Sequence, residues 1–328
     1  MTRIVRADHG ITVGTPPPHP ERTALLEARG AVLTWDVLTG EPSLVVHDPV
    51  AADWLWEVVG LDAADAILGA AAEVDLVPGP LHERARTAAH LDWVGAWWPA
   101  SPTAGIAGVN PALLRAERAV AVNAVEHLLD DEDATGRALR GIPPLDTAGC
   151  RLSVDDLARQ VLALAEDYGV EQAAAVPTRA DFALAAGGDP STGVTVLSGV
   201  SETDWSTVPR GLLDATAPAR WSVVREGGTS YLEVAVPSGP TPGPVPLARF
   251  GPVEVPLERG ALGWYTGRAA VAPTVLLLPP DRRVLSVSVP GYTAAPEDSG
   301  RRAAIVAYAR ARMVLPSATL TEREAGLR

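Results

Sequence analysis

Five side chains able to bind a metal or move a proton fall on neighbouring stretches of this chain: His82, Glu83, His90, Glu126 and His127. Histidines and carboxylates in such company suggest a hydrolytic metal centre, in which the ion polarises a bound water. Spacing narrows the arrangement. His82 and His90 are eight residues apart, which on a helix is about 12 Å along the axis and roughly 80° around it. Ligands of one zinc each lie about 2 Å from the ion, so these two cannot share a metal. No His-Glu-x-x-His pair is present. A centre made by His90, Glu126 and His127 across two helices is the combination left open, and with it a metal- or carboxylate-dependent hydrolase.

Nucleophilic chemistry finds less support. There is no Gly-x-Ser-x-Gly elbow, and Ser198-Gly-Val-Ser201 has no base beside it in sequence. Asp189-Pro-Ser191-Thr-Gly193 begins like the Asp-x-Ser-x-Ser metal motif of von Willebrand A domains but ends in glycine, and Asp204-Trp-Ser206-Thr-Val208 departs at the same place. Neither follows the apolar strand that motif requires, so both are expected to be turns. Gly105-Ile-Ala-Gly108 and Gly187-Gly188 lack the strand–turn–helix context of a dinucleotide fingerprint. All 27 basic residues are arginine. Without lysine there is no Walker A lysine, no kinase-type ATP lysine and no Schiff base. Cys150 is the single cysteine, which excludes an intrachain disulfide or a Cys-x-x-Cys pair. No cofactor is indicated.

Aromatic and arginine side chains offer binding chemistry instead. Trp93, Trp97 and Trp98, three of the nine tryptophans, fall within six residues. On a helix His90, Trp93, Val94 and Trp97 form one face, a core stripe, and Trp98 lies about 100° away from it. Trp98 is therefore a candidate partner-binding ring. Trp264 and Tyr265 sit next to each other on an expected strand, so one of them should face away from the core and could stack on a sugar or peptide. Arg301 and Arg312, eleven residues apart, lie within about 20° of one helix face and form a candidate basic ridge.

The elements that must position these groups follow from the hydrophobic pattern. Residues 1–48 read as a small β-containing lead-in. It includes a short helix over Glu21–Arg29 and a hairpin of Val32–Trp35 with Leu44–Val46 around Thr39-Gly40. Residues 49–188 read as helical. Helices are expected over Pro49–Val59, capped by Asp48, and over Leu61–Ala72. Pro78-Gly79-Pro80 then interrupts the chain before a helix over Leu81–Trp98. Further helices start at Pro111 and at a Ser153-x-x-Asp156 capping box. Residues 189–292 turn to β texture, with short strands that include Trp221–Val224, Ser230–Val236, Thr274–Leu278 and Val284–Val289. Turn residues punctuate them at sandwich-like intervals. This part resembles an immunoglobulin- or fibronectin-III-like sandwich in pattern. Residues 293–328 hold a final helix, over Glu297–Val314, and a tail. The fold class is thus α+β: a mainly helical N-terminal region, then an Ig-like β-sandwich and a C-terminal Arg-bearing helix.

Composition sets the outer limits. The chain has 328 residues and a net charge of −13, so attraction to nucleic acid or an anionic bilayer is disfavoured. Residues 1–200 carry 13 Arg against 28 Asp and Glu, and residues 201–328 carry 14 against 12; two regions of such unlike charge should attract. The first ten residues lack the apolar segment of a signal peptide, and Thr274–Leu278 is far too short to span a bilayer. A cytoplasmic protein is expected. The Ala/Gly/Pro/Arg bias indicates a GC-rich, actinobacteria-like source. In overall texture the chain is similar to actinobacterial proteins that accompany MoxR-type ATPases and von Willebrand A proteins. That resemblance implies a non-catalytic scaffold or adaptor subunit whose partners are proteins of a larger assembly. The competing classes are the hydrolase above and a carbohydrate- or peptide-binding module on the sandwich.

Overall fold

The computed structural model describes residues 1–8, 10–142, 145, 149–171, 194–260, 263–279, 282–294 and 296–328, with the side chains of 296–298 outside the described set. Gly187-Gly188 and the Asp189–Gly193 stretch lie outside the described residues. The chain forms two compact units. Unit 1 comprises Met1–Val94, Ala112–Ala174 and Thr319–Glu324; unit 2 comprises Gly95–Pro111, Ala175–Ala318 and Ala325–Arg328. Helices and antiparallel sheets both contribute, which makes the chain α+β. No helix among the described residues is long and apolar enough to cross a membrane.

Unit 1 opens with a six-stranded antiparallel sheet. Its strands are β1 (Thr2–Ala7), β2 (Gly10–Val13), β3 (Thr23–Ala28), β4 (Ala31–Asp36), β5 (Pro42–Val46) and β6 (Glu73–Val74), in the order β3-β4-β5-β2-β1-β6. The expected β4–β5 hairpin is present, with Leu33 opposite Leu44 and Trp35 opposite Pro42. The expected helix over Glu21–Arg29 is not: Thr23–Ala28 is strand β3. Ala, Leu and Glu favour a helix locally, yet Ala24, Leu26 and Ala28 alternate inward and Leu26 pairs with Leu33, so sheet burial overrides propensity.

The helices of unit 1 are α1 (Leu55–Val59), α2 (Leu61–Leu68), α3 (His82–Trp97), α4 (Pro111–Asn123), α5 (Ala134–Leu139) and α6 (Asp155–Asp167). α1 is shorter than expected. Asp48 Oδ1 accepts the N–H groups of Val50 and Ala51 and so caps a turn rather than the helix. The Ser153 capping box does not form either: Ser153 Oγ donates to Asp155 Oδ2 at 3.2 Å, and α6 starts after Val154. Leu113, Ala116 and Ala119 of α4 pack with Leu139, Leu157 and Val161 in a helical core.

Unit 2 contains two antiparallel sheets. One has five strands in the order β12-β13-β9-β8-β7: β7 (Val194–Ser201), β8 (Ala219–Glu226), β9 (Thr229–Pro237), β12 (Glu258–Arg259) and β13 (Trp264–Val271). The other, in the order β11-β10-β14, is built from β10 (Leu247–Phe250), β11 (Val253–Pro256) and β14 (Leu285–Ser288). Both sheets feed one core, where Trp221 of β8 meets Phe250 of β10 at 4.7 Å between ring centroids. The expected strand over Thr274–Leu278 is instead a helical turn, α7 (Pro273–Leu276), because Pro273 fixes the first helical position and supplies no N–H for a strand ladder. Two further helices follow in the chain, α8 (Pro296–Val314) in unit 2 and α9 (Leu320–Ala325), whose residues through Glu324 belong to unit 1.

Candidate functional site

Within unit 1 the β4–β5 hairpin floors a cavity of about 180 Å³. Side chains alternate on a strand, so the paired residues Leu33–Leu44 and Trp35–Pro42 all present to the same face. On the opposite face Thr34 Oγ1 and Ser43 Oγ are hydrogen-bonded at 2.6 Å, which fixes the hairpin's register. Val58 and Val59 of α1 form a second wall, and the Leu76–Pro78 segment and His82 close the third. The lining is almost wholly aliphatic and aromatic, as in sites that capture an apolar group.

The Pro78-Gly79-Pro80 interruption builds that third wall. A helix leaves its last carbonyls without intrahelical partners, and here the returning chain supplies them. Gly79 N–H donates to Val58 O at 2.9 Å and Leu81 N–H donates to Glu57 O at 2.7 Å. His82 Nδ1 lies 3.2 Å from Val58 O; because a carbonyl only accepts, Nδ1 carries the proton. The approach is too close for a side chain: a Cβ on Gly79 would stand 2.4 Å from Glu57 O. The imidazole of His82 then meets Trp35 edge-on, 6.0 Å between centroids and 80° between planes. Trp35 is buried, and its indole N–H has no hydrogen-bond partner among the described residues.

The mouth of the cavity is apolar and open to solvent. Val77 lines it and is 61% exposed. Gly60, at φ +82°, lies against it: a Cβ on Gly60 would stand 3.8 Å from Val77 Cβ. Carboxylates flank the lining residues in sequence, namely Asp36, which is paired with Arg22, and Glu41, Glu57, Asp75 and Glu83.

The residues singled out from sequence are dispersed by the fold. His90 Nε2 lies 2.8 Å from Glu322 Oε1 in a buried pair, and its ring stacks on Trp93. Glu126 accepts the Thr135 N–H at 3.1 Å and the Tyr168 hydroxyl, an acceptance that raises the phenol's pKa above its ordinary value. His127 Nε2 faces the Glu57 carboxylate at 3.2 Å. The three candidate ligands thus have three separate sets of partners. No group of three or more His, Cys, Asp or Glu among the described residues is placed to hold a metal ion.

The aromatic and arginine candidates lie in unit 2. Trp98 is fully buried, contrary to its expected role as an exposed ring; α3 ends at Trp97, so helical geometry no longer directs Trp98, and its Nε1 donates to Ala107 O at 3.0 Å. Tyr265 is 1% exposed and joins the core, which removes it as a partner-binding residue. Its neighbour Trp264, on the other face of β13, is half-buried with the Arg220 guanidinium 5.7 Å from its ring. Arg301 and Arg312 are both half-buried. Arg302 donates to Tyr292 Oη at 2.6 Å and to the carbonyls of Trp205 and Val208, and stacks 4.3 Å from the Trp205 ring. In the same unit the Asp204 turn accepts the hydroxyls of Ser101, Thr103 and Ser206. Burial raises its pKa, and these hydrogen bonds outweigh that effect and hold the carboxyl below its ordinary value.

A further polar cluster in unit 1 escapes sequence reading altogether. Thr319 and Glu322 form a reciprocal capping box at the start of α9: Glu322 Oε2 accepts the Thr319 N–H at 3.0 Å, and the Glu322 N–H donates to Thr319 Oγ1 at 3.3 Å. Glu117 of α4 accepts the N–H groups of Leu320 and Thr321, at 2.7 and 2.8 Å. Burial pushes the Glu117 carboxyl above its ordinary pKa despite these bonds. Glu324 accepts the N–H groups of Arg151 and Leu152. The Thr-x-x-Glu spacing was the available signal. Pairing of Glu322 with His90 had none, because 232 residues separate them.

No protein-family model, no curated protein and no solved structure matches the chain.

Proposed function

We propose that the protein is a non-catalytic scaffold or adaptor subunit of a bacterial multiprotein assembly. The observation that carries this reading is the unit 1 cavity, an apolar pocket lined at its solvent side by the exposed side chain of Val77. Exposed apolar groups grouped at a pocket favour capture of a partner. In this reading the unit 2 sheets are an immunoglobulin- or fibronectin-III-like sandwich, and the assembly is a cytoplasmic one organised around a MoxR-type ATPase and von Willebrand A proteins of an actinobacteria-like host. The test is co-purification from the native host under mild salt. A partner should appear in stoichiometric amount and be lost from a Val77→Glu variant that remains folded. Repeated recovery of the chain by itself would overturn the reading.

A further inference from the structure

Resting on the adaptor reading, we infer that the unit 1 cavity receives one phenylalanine- or leucine-sized side chain from a cationic segment of the partner. Volume sets the size of the anchor. A dry cavity of about 150 Å³ lined by aliphatic and aromatic groups accepts benzene, and this one offers about 180 Å³ with the same kind of lining. A phenyl or isobutyl group fits it. The floor is fixed by the Leu33–Leu44 and Trp35–Pro42 pairs, and the third wall by two backbone hydrogen bonds to α1. The site is therefore formed before its occupant arrives, which lowers the entropy cost of binding.

Charge sets the flanks of the occupant. Glu41, Glu57, Asp75 and Glu83 each adjoin a lining residue in sequence. Against them stand Arg86, 3.9 Å from Glu83, the Met1 amine, 2.9 Å from Asp75, and His127, 3.2 Å from Glu57. With histidine neutral these sequence neighbours of the lining carry a net negative charge. The cavity also belongs to a unit with 13 Arg against 28 Asp and Glu. A segment bearing arginine or lysine on both sides of its anchor is steered to so acidic a unit, while an acidic one is repelled.

Calorimetric titration of the full chain with N-acetyl-Arg-Phe-Arg-amide tests this, with Arg-Ala-Arg and Glu-Phe-Glu analogues as controls and benzene as a probe of the empty cavity. The Arg-Phe-Arg peptide should bind at least tenfold more tightly than either control and weaken as salt is raised. Val59→Phe, which fills the cavity, should abolish binding; should that variant fail to fold, Val77→Arg at the exposed mouth replaces it and should weaken binding tenfold. Equal binding of the alanine or glutamate peptide, or no response to either variant, would overturn the inference. So would entry of benzene with no peptide binding, an outcome that leaves the adaptor reading to be judged by co-purification.

Discussion

Trp35 occupies an unusual position for its chemistry. Its indole N–H is buried without a partner among the described residues while its ring walls the cavity and meets His82. An unmade hydrogen bond of this kind costs about 1–3 kcal/mol, whereas truncating a buried tryptophan to alanine costs about 3–5 kcal/mol. Trp35→Phe removes the unpaired donor and keeps an aromatic face, so its destabilisation in urea denaturation should be well below that of Trp35→Ala. Glu117 presents the opposite case, a carboxylate that satisfies two backbone donors. Hydrogen bonds to a charged group contribute about 1.5–3 kcal/mol, so Glu117→Ala should lower stability by about that amount. The pH dependence follows from burial. The folded pKa lies above the ordinary 4.5, so between the two values the folded state binds more protons than the unfolded state. Relative to Glu117→Gln, the wild type should therefore gain stability as pH falls through the folded pKa towards 4.5. A constant difference across that range would contradict this account.

At the scale of elements, the connection from α1 through Pro78-Gly79-Pro80 to α3 is the device that makes the cavity. Gly79→Ala forces a Cβ against the Glu57 carbonyl, 2.4 Å away, and should cost about 1–3 kcal/mol, as overpacking does. It should also diminish benzene binding, since the displaced segment carries Leu76 and Val77. Thr319→Ala removes one half of the α9 capping box and should cost about 1 kcal/mol in thermal denaturation. Much of this level was legible in the sequence. The β4–β5 hairpin, the proline-started α4 and the strict alternation of Val284–Val289 announced themselves because local pattern and final environment agree. Thr23–Ala28 misled because helix-favouring residues were recruited by a neighbouring strand, and Trp98 misled because the helix stopped one residue sooner than its tryptophan run. The cavity was not legible. Its walls come from four separated stretches, and only the fold brings the Leu33–Trp35 pair together with Val77.

The whole molecule is acidic by composition and divided by contact, and acid should act on the two units differently. In unit 2 the Asp204 carboxyl is held below its ordinary 3.8. A depressed carboxylate contributes stability above its unfolded pKa and loses it as pH falls through the folded value. Wild type and Asp204→Asn should therefore converge in stability as pH falls below 3.8 and through the folded value. In unit 1 the six residues Thr319–Glu324 close a structure otherwise made from the first 174. A chain ending at Ala318 would strand His90, Glu117 and the donors of Arg151 and Leu152. Leaving a buried hydrogen-bonding group unsatisfied costs about 1–3 kcal/mol each, so unit 1 should melt markedly earlier in that variant, as read by amide exchange of α3 and α4.

The late return of Thr319–Glu324 also orders events in time. At about 5–20 residues per second on the ribosome, His90 waits roughly 10–50 s before Glu322 exists. Throughout that interval the nascent N-terminal unit lacks the segment that satisfies its buried polar groups, and it should be a substrate for chaperones and proteases. Stalled chains released at residue 310 and at residue 328 should differ sharply in protease resistance between residues 82 and 170. A chain that resists digestion there would then be one that has been translated through Glu324.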